Sequence, residues 1–135
     1  MKEIIIGKEY KVERVVNENM LASVVGSGQA NVLATPMMIA LMENAAFCCL
    51  NEFLEDEKDE TSVGTFISAS HIASTPLNMK IYAVAKIVKA DGRKVDFEIE
   101  AYDEYGLIGK AEHSRVVVYG KRFQEKCNEK LKYNS

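Results

Sequence analysis

From Thr35 to Leu50 nearly every position is apolar, and Glu43 and Asn44 are the main interruption. That density predicts a helix surrounded by protein rather than one lying on a surface with a wet side. Thr35 is a competent N-cap, and Pro36 suits the first helical position, where its missing N–H would have no partner in any case. The helix is expected to run from Pro36 to about Leu54, where the acidic stretch Glu55–Glu60 ends it as a surface loop.

The rest of the chain has the texture of strands. An entry strand is expected within residues 10–16, and further strands at 63–72, 79–88, 94–103 and 107–119. Thr75-Pro76 separates two of them, and the turn-rich stretches Ala90-Asp91-Gly92-Arg93 and Glu104-Tyr105-Gly106 join the last three into an antiparallel meander. Val95, Phe97, Ile99 and Ala101 alternate with Asp96, Glu98 and Glu100, so that strand has one dry face and one wet one. A dry face needs a cover, and the apolar helix is the element long enough to supply it. The expected fold class is therefore α+β, with a curved antiparallel sheet wrapped around a long central helix. Asn17–Asn19 reads as a break, Met20–Val25 as a short helix or strand, and Gly26-Ser27-Gly28-Gln29 as a loop. In the charged segment 121–135, Phe123, Cys127 and Leu131 recur at fourfold spacing, as in a short surface helix or a tail.

The 135 residues make one domain, large enough to bury a core without staples. A net charge of −3 offers no general attraction to nucleic acid or to an anionic membrane. Neither a membrane-length apolar run nor a signal-peptide pattern is present, and the three cysteines show neither a disulfide framework nor metal spacing. The expectation is a cytoplasmic protein with reduced cysteines, Cys48 and Cys49 serving as core residues. With no metal motif and no nucleotide fingerprint, no cofactor is implied.

Two side chains are candidates for chemistry on their own merits. Glu43, a lone carboxylate in an apolar helix, either reaches an edge or a cation, or is held partly desolvated and tuned for reaction. His71, closing an alternating stretch, is either a hydrogen-bonded structural residue or a proton carrier. Thr35 caps the helix whether or not it does more. His113 and Arg115 share one strand face by period two; they either bind a carboxylate or a phosphate, or simply belong to an exposed polar face, the commoner case.

Taken in order, Leu33-Ala34-Thr35-Pro36 leading into Ile39–Ala46, Val63-Gly64-Thr65 followed by Ser70–Pro76, and the closing Gly109–Arg115 resemble the hot-dog-fold thioesterases. Within them they are similar to the fluoroacetyl-CoA thioesterase subgroup, over most of residues 10–120. The resemblance implies a hot-dog fold, an acyl-CoA substrate, and a catalytic set of Thr35, Glu43 and His71. It also implies a glycine, Gly64, at the acyl end of the substrate. In that scheme Glu43 is nucleophile or base, His71 general base, and Thr35 the group that orients them, with N–H groups at the helix start stabilising the oxyanion. Unlike the fluoroacetate-specific members, the expected lid segment Met20–Gln29 contains no Phe, Tyr or Trp. A pocket edged by Met20, Leu21, Val24 and Val25 would admit a range of short acyl groups.

Helical rise adds a constraint. Thr35 and Glu43 are eight residues apart, about 12 Å along the axis, too far for both to touch one carbonyl within a chain. Two chains related by a two-fold axis solve this, so a homodimer is expected, and whether dimers pair into tetramers stays open. Two alternatives accompany the thioesterase reading: a hot-dog hydratase or dehydratase, told apart by product chemistry, and a non-catalytic acyl-CoA-binding module, which would bind without turnover.

Overall fold

The computed structural model describes residues 1–133. Five strands form one sheet: β1 (Glu9–Val15), β2 (Glu60–His71), β3 (Lys80–Asp91), β4 (Lys94–Asp103) and β5 (Gly106–Tyr119). Their order is β1-β3-β4-β5-β2, every neighbouring pair antiparallel, which leaves β1 and β2 as the edges. The expected meander is β3-β4-β5. A short helix α1 (Ala22–Val25) precedes the long helix α2 (Thr35–Asn51), and α3 (Gly120–Asn128) follows the sheet.

Alternation along the strands decides which face is dry. Ile81, Ala83, Ala85 and Ile87 of β3 and Val95, Phe97, Ile99 and Ala101 of β4 point inward and are buried. The opposite face carries Lys86, Glu98, Glu100, Lys110 and Glu112, where Lys86 sits opposite Glu98 and Glu100 opposite Lys110. Such opposed charges on a wet face add modestly to pairing. Helix α2 crosses the dry face and buries Met38, Leu41, Met42, Ala45, Ala46, Cys49 and Leu50 against it. Burial pushes the Cys49 thiol up to about 11, so it behaves as a small core hydrophobe. All three cysteines are free.

Several expectations need correction. The sheet covers only one side of α2: Pro36 and Ala40 are exposed, and Ile39, Glu43, Asn44 and Phe47 only half-buried. The N-cap is Ala34, without a side-chain cap, so Thr35 is the first helical residue and its hydroxyl is free for other work. The helix stops at Asn51, although Phe53 and Leu54 still enter the core. The acidic stretch is not all surface loop: Asp56–Lys58 form a 3-10 turn, and Glu60 is buried as the first residue of β2. The tail is helical through α3 and a 3-10 turn at Glu129–Tyr133, with Phe123 and Leu131 exposed; its last two residues lie outside the described ones. Among the described residues no helix is long and apolar enough to cross a membrane.

One glycine is dictated by packing. A Cβ on Gly109 would stand 2.6 Å from Met38 Sδ and 2.7 Å from the Ser70 carbonyl oxygen. Its absence lets the first turns of α2 close on β5 and β2 where β2 ends at His71.

Phe97 is 1% exposed and Tyr105 91% exposed. Phe97→Ala is expected to lower the unfolding free energy by about 3–5 kcal/mol, and Tyr105→Ala to change it by less than about 0.5 kcal/mol, both read from urea denaturation midpoints and slopes.

Candidate active site

The start of α2 is tied to two neighbours. Ala34 N–H donates to the Met20 carbonyl at 2.8 Å, and Leu33 N–H to the Thr75 carbonyl at 2.8 Å. Thr75 is itself fixed by its hydroxyl, which donates to Asp103 Oδ2 at 2.8 Å. These straps set the first turn of α2 beside the end of β2, where Ile72 N–H donates to the Ile108 carbonyl at 2.7 Å. Thr35 Oγ1 and His71 Nδ1 are consequently hydrogen-bonded at 2.7 Å, within one chain. A hydroxyl both donates and accepts, so it suits either imidazole tautomer. His71 Nε2 is buried and has no hydrogen-bond partner. Burial lowers the His71 pKa, partly offset by the Ala73 backbone, so the imidazole is neutral at pH 7.

The amides of the first turn are largely committed. Met37 and Met38 N–H both donate to the Ala34 carbonyl at 3.0 Å, and Pro36 has no N–H. The oxyanion donors expected at the helix start thus reduce to the Thr35 N–H and the positive end of the helix dipole.

A second cluster forms two turns further along α2. Glu43 Oε2 lies 3.8 Å from Arg115 Nη1. Arg115 donates from Nε to Ser62 Oγ at 2.9 Å and from Nη2 to the Ser62 carbonyl at 3.0 Å. Gly64 opens the space between these groups: a Cβ there would stand 3.1 Å from His113 Cε1 and 3.2 Å from Glu43 Oε2. His113 and Arg115 share a face, as period two requires, but that face is not exposed; they are 2% and 7% accessible. They sit at the Glu43 end of the site. The structure therefore brings Thr35 to His71, and Glu43 to Gly64, His113 and Arg115. It does not bring the two groups together.

Thr35 and His71 line a groove of about 280 Å³ with Ala22, Val32, Leu33 and Ile72. Met20 and Leu21, expected at a pocket edge, are buried in the core instead, and Val24 and Val25 face outward. A larger hollow of about 590 Å³ lies on the charged outer sheet face and contains none of the six residues singled out in the sequence.

Comparison with known proteins now bears on this geometry. Residues 16–121 match the family model for the fluoroacetyl-CoA-specific thioesterase. The chain belongs to that family. It is 32% identical over 99 residues to the fluoroacetyl-CoA thioesterase of Streptantibioticus cattleyicolor, spanning 73% of this chain and 70% of that protein. Among solved structures, a hypothetical protein of Thermus thermophilus, a thioesterase superfamily member, superposes with a TM-score of 0.87 at 32% identity, over 99% of this chain and 97% of that one. The structure of a fluoroacetyl-CoA thioesterase superposes with a TM-score of 0.88 at 26% identity, over 96% and 98%. A variant of that enzyme has been crystallised with acetyl-CoA. The fold is thus the hot-dog fold, and this member of the family is a thioester hydrolase that cleaves acyl-CoA to a carboxylic acid and coenzyme A.

Two features of this thioesterase escaped the sequence reading. Ser62, which holds Arg115 from both side chain and backbone, carries no motif of its own. The sheet register shifts between Gly64 and Phe66, and this bulge turns the Phe66 carbonyl toward His113. A glycine inside a strand is the signal that would have flagged it.

Burial also lowers the His113 pKa. Unfolded imidazoles take up protons near 6.5 and these folded ones only at lower pH, so below about 6.5 the unfolded state binds more protons. Stability is expected to fall as pH drops below about 6.5 and to level off once both folded imidazoles are protonated. Denaturation midpoints across that range, with His71→Gln removing part of the slope, check this.

Proposed function

We propose that this thioesterase hydrolyses short acyl-CoA substrates at a site completed by two chains. Thr35 and His71 of one protomer would face Glu43, Gly64 and Arg115 of the other. The observation that carries the reading is Thr35, at the start of α2, paired with His71 of β2, whose Nε2 has no partner, while Glu43 lies about 12 Å further along the same helix. Two exposed features support a second copy: the uncovered apolar stripe of α2 at Ile39, Ala40 and Phe47, and the edge strand β2 with Phe66 55% exposed.

In this scheme the thioester carbonyl sits between the two clusters. Glu43 either attacks the carbonyl carbon, giving an anhydride that water then opens, or takes a proton from the attacking water. Either way a C–O bond replaces the C–S bond, and the water proton leaves on the coenzyme A sulfur. His71, neutral at pH 7, can accept and return that proton, and Thr35 fixes the ring through Nδ1. The groove wall of Ala22, Val32 and Leu33 sets no aromatic barrier, which supports acceptance of several short acyl groups rather than fluoroacetyl alone. The free cysteines fit a cytoplasmic setting.

Glu43→Gln and His71→Ala are each expected to lower thiol release from short acyl-CoAs by roughly 10²–10⁴-fold without loss of fold, measured against a panel of acyl chains. No turnover with binding retained would replace the reading with an acyl-CoA-binding module, and double-bond formation with a hydratase. Mixing inactive His71→Ala with inactive Glu43→Gln protein under exchange is expected to restore roughly a quarter of wild-type activity, because half the dimers are mixed and each of these has one intact site. No recovery despite demonstrated exchange would overturn the two-chain site, as would an active monomer by light scattering.

A further inference from the structure

His113 lies outside the chemistry just described, yet it is 2% exposed and both of its ring nitrogens are engaged. Nδ1 is 2.7 Å from the Phe66 carbonyl oxygen, which only accepts, so Nδ1 carries the proton. Nε2 is 3.2 Å from Arg115 Nη1, which only donates, so Nε2 presents its lone pair. The bulge in β2 that turns the Phe66 carbonyl inward therefore fixes the tautomer, and the tautomer fixes an acceptor on Arg115. The same Nη1 stands 3.8 Å from Glu43 Oε2, about 1 Å longer than a direct guanidinium–carboxylate hydrogen bond. Arg115 is buried and Glu43 half-exposed; opposite charges at that separation draw together unless something else holds one of them, and here Arg115 is held by Ser62 and His113.

We infer that His113 is a positioning residue for the thioesterase site: by accepting from Arg115 Nη1 it holds the guanidinium just short of Glu43, leaving the carboxylate stabilised but not tied up. The inference rests on Glu43 carrying the chemistry. The charged groups facing His113 are Arg115 on its own strand and Glu43 from α2. From β4 it meets the Phe97 ring, 6.1 Å between centroids, and from β2 the backbone of Gly64 and Phe66. Burial first, and the Arg115 charge after it, keep His113 below the ordinary histidine range, so the neutral acceptor persists through neutral pH. Losing the acceptor lets Arg115 close on Glu43 in a direct ion pair, which withdraws the carboxylate from the substrate.

His113→Asn keeps a donor near the Nδ1 position and removes the acceptor, whereas His113→Gln places an amide oxygen near Nε2. With thiol release as readout, His113→Asn should lose roughly ten- to a hundredfold in kcat with KM nearly unchanged, and His113→Gln should recover most of it. In an Arg115→Met background, His113→Asn should cost nothing further. Wild-type kcat in His113→Asn, equal losses in Asn and Gln variants, or additive losses with Arg115→Met would each overturn the inference. The chain has only two histidines, so ¹⁵N imidazole spectra of the wild-type enzyme are assigned with His71→Ala. They should show His113 protonated at Nδ1 and bare at Nε2 at pH 7; a proton on Nε2 overturns the proposal even if His113→Asn fails to fold. Full turnover in Glu43→Gln would overturn the underlying function and this inference with it, whereas a dead Glu43→Gln beside a fully active His113→Asn overturns the inference alone.

Discussion

An α-helix advances about 1.5 Å per residue, and that fixed rise keeps Thr35 and Glu43 about 12 Å apart on one rigid rod. No rotamer closes such a gap. What each end of the rod can touch is then decided by the strands it lies on: β2 brings His71 to Thr35, and β5 brings Arg115 to Glu43. The rod is held in place by its buried face, from Met38 to Leu50, and by the missing side chain at Gly109 that lets its first turns settle. The same face-to-sheet packing leaves the opposite stripe of α2 uncovered, and that stripe carries Glu43.

The two ends are built differently. At the Thr35 end the backbone does the positioning, through the Leu33–Thr75 and Ala34–Met20 hydrogen bonds, and the side chains are left partly open to the groove. At the Glu43 end the side chains position one another. Ser62, His113 and Arg115 form a buried polar chain in which each ring and guanidinium nitrogen has a hydrogen-bond partner, the condition under which buried polar groups are tolerated. Gly64 is part of this second device because any side chain there would occupy the space between His113 and Glu43.

Strand positions, the meander and the dry face of β4 were legible because a half-buried strand writes its environment into alternate residues. The helix was legible from its apolar density, but its cap was misread. Thr35 has the chemistry of a cap, and nothing local to the sequence reveals that Ala34 takes the position while the hydroxyl turns to a histidine 36 residues away. His113 and Arg115 were correctly placed on one face by period two, and the commoner reading of that face as wet was wrong. Charged residues on alternate positions usually mark solvent, and only the arrival of Glu43 and Ser62 from other elements makes burying them tolerable.

By itself the sequence determined what repeats along the chain: the elements, their dry faces, and the spacing that separates Thr35 from Glu43. Those follow from local geometry, which every residue carries with it. Only the tertiary structure decided which long-range neighbours meet: Thr35 with His71, Arg115 with Ser62 and Glu43, and the Phe66 carbonyl with His113. Such contacts depend on sheet order and on a one-residue bulge, and neither leaves a periodic trace in the sequence.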